Sequence, residues 1–411
     1  MAKIAVMGHG VVGSGVVELL QMNRESIAVK ANQEIEVKRI LDLRDFDVDY
    51  VDKFTKNFDD IINDDEISIV VEVMGGLHPA YDFVKASLMK GKSVVTSNKE
   101  LVAAKGAELL KVAKENGVNF FFEASVGGGI PIIRPMHMCL AANRIGEIAG
   151  ILNGTTNFIL TKMIREQMPF DEALKLAQEL GYAERNPAAD IEGLDACRKI
   201  CILSSLAFGR HVYPDFVYTE GITKITLEDI AFAENANCVV KLIGCARQLE
   251  DGKLFVMVSP ALIAKDSQLA SIEDVFNGIL VRGDATGDVV FYGKGAGKLP
   301  TASAVVADVI DEVKGPTTRV SLNWEDTDEN IVMDHAELPL EFYLRCEAED
   351  AEAAKAVLKE KLGGFRELTR SGMPAGEFGL ITGLIPEKEL NAVLDSVKGL
   401  NVLSKIRVFH Y

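Results

Sequence analysis

The sequence has few of the residues that mark disulfide-rich and metal-binding proteins. Six cysteines occur among 411 residues, with no Cys-x-x-Cys pair, which argues against a disulfide-stapled secreted domain. Cys197 and Cys201 are four residues apart, but no nearby histidine or second cysteine pair completes a metal site. We therefore expect buried thiols in a reducing compartment.

Positive charge and long apolar runs are also scarce. The 44 lysines and arginines are outnumbered by 61 acidic residues, giving a net charge of −17, which argues against nucleic acid and anionic membranes as partners. No apolar run reaches the length of a membrane span, and no signal-peptide pattern precedes the first predicted strand. These absences predict a cytoplasmic protein with no membrane partner and no nucleic-acid partner.

A glycine motif stands near the start of the chain, between a predicted strand at 2–7 and a predicted helix at 14–22. It reads Gly8-His9-Gly10-Val11-Val12-Gly13. In a dinucleotide-binding turn the first glycine permits the bend, the second admits a pyrophosphate and the third lets helix and strand pack. The helix start then offers free N–H groups to the phosphates. The alternative is a glycine-rich turn that serves packing alone.

The second predicted strand, at 35–41, ends at Asp42. An acidic residue in this place usually accepts the ribose hydroxyls of NAD. Arg44, two residues later, would instead suit the 2′-phosphate of NADP. The sequence therefore leaves the choice between NAD and NADP open.

Composition and element order together predict the fold class. Hydrophobic residues make up 48% and charged residues 26%, as in ordinary globular proteins. Strands alternate with helices over residues 2–122, which predicts an α/β, Rossmann-type domain with a parallel sheet. An α+β domain follows, and the tail has the strand–helix–strand–strand–helix–strand order of a ferredoxin-like unit. The predicted division is 1–130 with about 300–315 returning to it, 131–299, a polar linker at 316–338, and 339–411.

The stretch from Gly181 to Leu203 carries the strongest chemical signal. Asp195 and Lys199 are four residues apart on a predicted helix, so their side chains can touch. The alternative is a surface ion pair contributing about 0.2–0.5 kcal/mol. The turn that follows, Ile200 to Leu203, is apolar all round, as in a buried helix. A buried lysine is well suited to proton transfer.

Other polar groups fall at the ends of predicted strands. Ser97-Asn98-Lys99 and the loop Asn153-Gly154-Thr155-Thr156-Asn157 follow strands and are of a kind that holds small polar ligands; an exposed Lys99 is the alternative. Glu123 precedes three consecutive glycines, where carboxylate and carbonyl oxygens suit a hard monovalent cation, although a plain turn is the other interpretation. Gly293 to Gly297 predicts either close approach to a ligand or helix packing.

Seven segments together resemble homoserine dehydrogenase, in the order and spacing of that family and over residues 1–315. They are GHGVVGSGVV, VVEVMGG, GKSVVTSNKELVA, FEASVGGGIPII, GILNGTTNFIL, GYAERNPAADIEGLDACRKICIL and YGKGAGKLPTASAVVADV. The resemblance implies NAD(P)-dependent interconversion of L-aspartate 4-semialdehyde and L-homoserine, in threonine and methionine biosynthesis. It also implies a homodimer or higher homo-oligomer formed through the middle domain.

The resemblance assigns roles to individual residues. Lys199 is the implied acid/base, and Asp195 binds the reacting hydroxyl and keeps the lysine placed. The implied substrate-binding residues are Glu184 (for the ammonium group), Asp190, Asp195, Lys99, Gly181 and Thr155. The implied cofactor-binding residues are Gly8, Gly10, Val11, Val12, Gly13, Asp42, Arg44, Gly75, Thr96, Ser97, Lys99, Glu184, Gly295 and Gly297. The implied Na⁺ or K⁺ ligands are Glu123, Val126, Gly128 and Ile130.

The tail resembles the ACT domain that often follows this enzyme, with one departure. Its first strand is followed by Glu347-Ala348-Glu349-Asp350-Ala351, without the proline and glycine that help such domains to hold an amino acid. This weighs against threonine as an effector and leaves a dimerising or structural role.

Two alternative functions differ in class. One is a non-catalytic regulatory paralogue that binds a nucleotide and an amino acid, although a sensor has no need of Lys199 as an acid/base. The other is a dehydrogenase acting on a different semialdehyde, such as aspartate-semialdehyde dehydrogenase. That enzyme needs a catalytic cysteine, and no cysteine here lies in a suitable polar loop.

Overall fold

The structure is a computed structural model that describes residues 1–315, 322, 324–327 and 329–411. Contacts divide the chain into two compact units. The first comprises Met1–Ile145, Cys201–Pro214 and Gly283–Asn330, and the second Gly146–Ile200, Asp215–Arg282 and Ile331–Tyr411. The finer division predicted from the sequence stays a prediction.

The strands and helices follow the predicted order closely. The strands are β1 (Ala2–Met7), β2 (Ile35–Leu41), β3 (Phe54–Thr55), β4 (Ile67–Glu72), β5 (Ser93–Thr96), β6 (Phe120–Phe121), β7 (Ile145–Ile151), β8 (Tyr218–Thr219), β9 (Cys238–Gln248), β10 (Leu254–Ala264), β11 (Phe276–Gly283), β12 (Gly287–Lys294), β13 (Pro339–Glu347), β14 (Phe365–Leu368), β15 (Glu377–Thr382), β16 (Ile385–Pro386) and β17 (Asn401–Phe409). The helices are α1 (Val11–Met22), α2 (Arg24–Ala31), α3 (Asp59–Ile62), α4 (Ala80–Met89), α5 (Lys99–Glu115), α6 (Gly154–Glu166), α7 (Phe170–Glu179), α8 (Ala188–Ile191), α9 (Leu194–Phe208), α10 (Leu227–Asn235), α11 (Lys298–Val313), α12 (Ala351–Leu362) and α13 (Glu387–Asp395). None of the helices in this described part of the chain combines the length and apolar character that a bilayer crossing needs.

The first unit is built on a six-stranded sheet in the order β3-β2-β1-β4-β5-β6. Neighbouring strands run parallel. The central strand β1 is apolar without alternation, and Ile4 to Met7 are fully buried, as expected of a parallel sheet covered on both faces. The α/β prediction for this part is confirmed.

The second unit contains a sheet in which β11, β7, β9, β10, β17, β13, β15 and β14 lie side by side in that order. Strands β9 and β10 form a long antiparallel ladder from Leu254↔Gln248 to Ala264↔Cys238. In the tail, the order β17-β13-β15-β14 is the ferredoxin-like arrangement that the sequence predicted. Strand β17 also pairs with β10, in parallel. The tail sheet therefore continues the sheet of the middle segment.

The predicted linker at 316–338 is only partly described, since 316–321, 323 and 328 lie outside the described residues. Among the rest, Leu322, Trp324 and Val332 are buried. The Trp324 indole donates to His211 Nδ1 at 2.8 Å. These described side chains pack inside the fold, and the assignment of 316–338 as a linker stays a prediction.

Candidate active site

The predicted pair on α9 forms, and it is buried. Lys199 Nζ lies 2.9 Å from Asp195 Oδ2, and the two side chains are 8% and 6% exposed. The ammonium group also donates to the Leu152 carbonyl at 2.8 Å, just beyond the end of β7. This geometry excludes the surface ion pair that the sequence left open.

Asn153 joins this pair to a second carboxylate. Its amide nitrogen donates to Asp190 Oδ1 at 2.7 Å and to Asp195 Oδ2 at 2.9 Å. Its amide oxygen accepts the Thr156 N–H at 2.9 Å and so caps α6. The segment predicted as a polar loop, 153–157, is therefore the cap and first turn of a helix.

Sequence reasoning did not include Asn153 among the site residues. A signal was available, because asparagine at a strand end, directly before a helix, is a preferred N-cap residue. What the sequence could not give was the direction of its amide nitrogen, which depends on Asp190, 37 residues away along the chain.

Other predicted substrate-side residues surround the turn between α7 and α8. Thr155 Oγ1 donates to the Tyr182 carbonyl at 2.5 Å, next to Gly181. Glu184 is exposed on the same turn, and its main-chain carbonyl accepts from Gln178 Nε2 at 3.1 Å. Thr155 therefore holds the turn, while Glu184 presents a carboxylate to solvent.

In the first unit, the glycine turn has the shape that a dinucleotide needs. Gly8 has a φ of +97°, and a Cβ at Gly13 would lie 1.9 Å from the Gly8 carbonyl oxygen. A Cβ at Gly10, by contrast, would meet no protein atom within 4 Å. Gly8 and Gly13 are thus packed against each other, whereas the backbone at Gly10 is open. A pyrophosphate would approach there, at the N-terminus of α1.

Asp42 at the end of β2 is already engaged by its own chain. Its carboxylate accepts the His9 N–H at 2.8 Å and the guanidinium of Arg44 at 2.8 and 3.0 Å. Hydrogen bonds from Arg44 lower the pKa of Asp42 below its usual range. Arg44 itself is 63% exposed. The interpretation of Asp42 as a simple ribose acceptor is therefore incomplete, because a cation lies directly beside it.

A cavity of about 430 Å³ adjoins this turn. It is lined by Gly8, Gly10, Leu41, Asp42, Leu43, Arg44, Lys56, Phe58, Val73, Met74, Pro79 and Phe83. Apolar side chains that suit an adenine ring and two cations that suit phosphate thus line one space. The residues present fit a nicotinamide dinucleotide.

Residues at the ends of β4 and β5 form a buried network beside that turn. Glu72 accepts from Thr96 Oγ1 at 2.6 Å and from the Met74 N–H at 2.8 Å. Burial raises the pKa of Glu72. Thr96 is fully buried and its hydroxyl donates to Glu72, while its predicted contact with the cofactor stays a prediction. Lys99 begins α5 directly after its N-cap residue, Asn98.

Glu123, a predicted cation ligand, accepts hydrogen bonds from main-chain N–H groups. Glu123 accepts three backbone N–H groups, from Ile132 at 2.6 Å, Ile133 at 2.9 Å and Arg134 at 2.8 Å. In the described part of the chain, no three His, Cys, Asp or Glu side chains are grouped as a metal site. The cation site at Glu123, Val126, Gly128 and Ile130 stays a prediction.

Gly295 packs against the same segment. A Cβ added to Gly128 would lie 2.3 Å from the Gly295 carbonyl oxygen. The Gly129 N–H donates to the Lys294 carbonyl at 3.0 Å. Gly295 thus packs against the loop at 128–129, and both interpretations of residues 293–297 stay predictions.

Comparisons with known proteins cover both the glycine turn and the Lys199–Asp195 pair. The sequence profile of the homoserine dehydrogenase NAD binding domain matches residues 8–123, and that of homoserine dehydrogenase matches 131–310. A homoserine dehydrogenase of Bacillus subtilis (strain 168) is 36% identical over 98% of this chain and 96% of its own. The chain belongs to the homoserine dehydrogenase family. The predicted resemblance is confirmed.

Solved homoserine dehydrogenase structures have the same fold. The crystal structure of the Thiobacillus denitrificans protein superposes with a TM-score of 0.90 at 37% identity, covering 100% of this chain and 98% of that chain. A mutant of a hyperthermophilic archaeal homoserine dehydrogenase, in complex with NADPH, superposes with a TM-score of 0.65 at 29% identity, covering 77% and 99%. As a homoserine dehydrogenase family member, the chain is an oxidoreductase of amino-acid biosynthesis that uses NAD(P).

Proposed function

We propose that Lys199 is the acid/base of a reversible hydride transfer between L-homoserine and L-aspartate 4-semialdehyde, a step towards threonine and methionine. The observation that carries the proposal is the buried contact of Lys199 with Asp195, joined through Asn153 to Asp190. Such a network orients one ammonium group in a low-dielectric setting, where its charge acts strongly.

The proton chemistry follows from this setting. In the oxidative direction a neutral Lys199 accepts the hydroxyl proton, and in the reductive direction its ammonium stabilises the growing oxyanion and returns the proton. Bound NAD(P) supplies the hydride acceptor or donor. Asp195 holds the lysine side chain in place at 2.9 Å and is proposed to bind the reacting hydroxyl as well.

Substrate recognition is proposed for groups that match a zwitterionic amino acid. The exposed carboxylate of Glu184 would take the substrate ammonium, and Asp190 would add a second polar contact. Gly181 and Thr155 shape the turn that carries Glu184. Lys99, the first residue of α5, is proposed to contact the nicotinamide end of the cofactor and the substrate.

The cofactor is proposed to lie on the glycine turn and in the adjoining cavity. Gly8 to Gly13 would hold the pyrophosphate, with Gly75 and Ser97 at neighbouring strand ends. Thr96, Glu184, Gly295 and Gly297 complete the proposed contacts. Arg44 and Lys56 both line the cavity, so we propose that NADP is accepted at least as well as NAD. The archaeal relative in complex with NADPH supports this choice.

Further proposals concern the setting of the enzyme. Glu123 and the carbonyls of Val126, Gly128 and Ile130 are proposed to hold Na⁺ or K⁺. The six cysteines are all free thiols, which supports a cytoplasmic location. We also propose that the middle domain forms a homodimer and that residues 339–411 form a distinct ACT-like domain. Threonine is not proposed as an effector.

The acid/base role is tested by Lys199→Met, which keeps the unbranched side chain up to Cε and removes the proton carrier. We expect homoserine oxidation to fall by at least about 10²-fold because general acid–base catalysis is lost, while cofactor binding, followed by NAD(P)H fluorescence, is retained. Turnover is followed by the absorbance of the reduced cofactor.

A second buried lysine provides the control. Lys241 is 1% exposed and donates to Asn157 Oδ1 and the Ile272 carbonyl, outside the proposed chemistry. Lys241→Met should therefore keep turnover within about twofold. Near-normal turnover in Lys199→Met would remove Lys199 from the chemistry.

A further inference from the structure

Strand β17 carries a buried arginine that the proposed chemistry does not use. Arg407 is 2% exposed. One guanidinium nitrogen, Nη1, donates to Glu220 Oε2 at 2.7 Å, while Nε and Nη2 donate to Glu387 Oε2 at 3.1 and 2.7 Å. A buried charge with two carboxylate partners is weak evidence for stability alone, since desolvation offsets the attraction. A positional role is the alternative.

The strand and its neighbours fix where the guanidinium points. Arg407 pairs with Ala261 of β10 on one side and with Phe342 of β13 on the other. Its guanidinium carbon lies 4.8 Å from the centre of the Tyr218 ring. The Tyr218 hydroxyl donates to the same Glu220 oxygen at 3.2 Å. The Glu220 carboxylate is therefore held by two donors on neighbouring elements of the sheet.

The backbone beside Glu220 rests directly on the turn between α8 and α9. The Ile222 N–H donates to the Ile191 carbonyl at 2.9 Å. A Cβ at Gly221 would lie 2.1 Å from the Ile191 carbonyl oxygen and 2.5 Å from the Glu192 Cα. From the other side, a Cβ at Gly193 would lie 3.4 Å from the Glu220 carbonyl oxygen. The two backbones thus approach too closely to move independently.

This turn separates the two carboxylates of the candidate site. Asp190 precedes it on α8, and Asp195 follows it on α9. Both accept from the amide of Asn153, at 2.7 and 2.9 Å, so small movements of the turn change both bonds. Lys199 takes its position from Asp195. Misplacement by about 1 Å can cost on the order of 10²-fold in rate even when no reacting atom is touched.

We propose that Arg407 is a positioning residue for the acid/base network, acting through Glu220 on the α8–α9 turn. The inference rests on the proposed role of Lys199 and Asp195. It gives the tail a part in catalysis that needs neither an effector nor contact with the substrate.

The test compares two substitutions around the same arginine. Glu220→Ala removes the link to the turn, whereas Lys405→Ala removes a cation that pairs with the other oxygen of Glu387 at 2.8 Å. The two side chains are similarly exposed, 27% and 26%. We expect Glu220→Ala to lower kcat for homoserine by about 10-fold with an unchanged KM for NAD(P). Lys405→Ala should keep kcat within about twofold.

Two further variants separate position from stability. Glu220→Gln retains an oxygen that can accept from Arg407, so it should restore most of kcat. Arg407→Lys keeps the charge but lacks the planar fork that serves both carboxylates, so it should lose kcat as Glu220→Ala does. Thermal unfolding of every variant shows whether the loss of kcat follows the loss of stability.

The inference is overturned if Glu220→Ala turns over at the wild-type rate. It is also overturned if Lys405→Ala loses as much kcat, or if kcat falls only in proportion to the fraction unfolded. A wild-type protein without homoserine oxidation would count against the proposed function instead. The two failures are therefore distinguishable in one assay.

Discussion

At the scale of single residues, Asn153 combines two functions that no other side chain of its size can serve together. Its oxygen accepts from the first turn of α6, and its nitrogen donates to two carboxylates. An amide carries both an acceptor and two donors, whereas aspartate offers acceptors only and serine a single donor. The residue therefore holds the α6 start and the acid/base network in one geometry.

Asn153→Asp should separate these functions. The carboxylate keeps the helix cap but loses both donors and faces Asp190 and Asp195 as a third like charge. We expect kcat to fall by about 10²-fold and the melting temperature to drop. Asn153→Ser can also cap the helix but adds no charge, so its kcat and its melting temperature should fall less. Wild-type kcat in Asn153→Asp would show that the amide bridge has no part in turnover.

The burial of Lys241 leads to a second prediction for a single residue, which concerns how the free energy of unfolding depends on pH. Burial lowers the pKa of Lys241 from 10.5 to about 8, with Glu273 opposing the shift and Arg165 adding to it. Between those two values the unfolded chain binds the proton and the folded chain does not. The free energy of unfolding should therefore rise with pH across this window, by up to about 1.4 kcal/mol per pH unit from this group. This stabilisation is lost as the pH falls through about 8.

Lys241→Met should lack that rise, and chemical denaturation between pH 7.5 and 10.5 measures it. Lys241 and the exposed Lys265 both line one cavity of about 320 Å³. Lys265→Met therefore serves as the control and should keep the wild-type slope. An unchanged slope in Lys241→Met would contradict the assignment.

At the scale of elements, the sequence predicted which segments form helices and strands better than it predicted which groups meet. The helix after residue 99 and the strand at 35–41 follow from local periodicity. The Trp324 contact with His211 spans 113 residues of sequence, and composition alone made that segment a linker. Thr96 and Glu123 were predicted to bind ligands, and the hydrogen bonds that they also make inside the fold could not be predicted from the sequence.

The turn after β2 also contains a contact that the sequence alone did not predict. It yields a prediction about the preference for NAD or NADP. The sequence offered Asp42 and Arg44 as alternatives, and the structure pairs them. Arg44→Ala would remove the cation that we propose to bind the 2′-phosphate of NADP, and it would release the Asp42 carboxylate for a ribose. We expect KM for NADP to rise by about 10-fold or more, with KM for NAD unchanged or lower.

The matched control for this prediction is Arg24→Ala. Arg24 is 67% exposed and pairs with Glu34 at 3.0 Å in the same unit, away from the glycine turn. It should leave both KM values unchanged. An unaltered ratio of the two KM values in Arg44→Ala would place the phosphate site elsewhere.

At the scale of the whole molecule, the tail shows what local patterns cannot reveal. The ferredoxin-like order of its strands was predictable, because each strand and helix has its own signal. The parallel pairing of β17 with β10 was not, since strands separated by more than a hundred residues carry no mark of their partner. The pairing makes the last strand part of the sheet in which β10 also pairs with Tyr218 and Thr219 of β8.

The assignment of the chain as a homoserine dehydrogenase predicts one activity, the oxidation of L-homoserine. Purified protein is mixed with L-homoserine and either NAD or NADP, and the absorbance of the reduced cofactor is followed. We predict steady reduction of at least one cofactor, dependent on homoserine. A folded protein that binds the cofactor but reduces neither one would contradict the account and favour a regulatory paralogue.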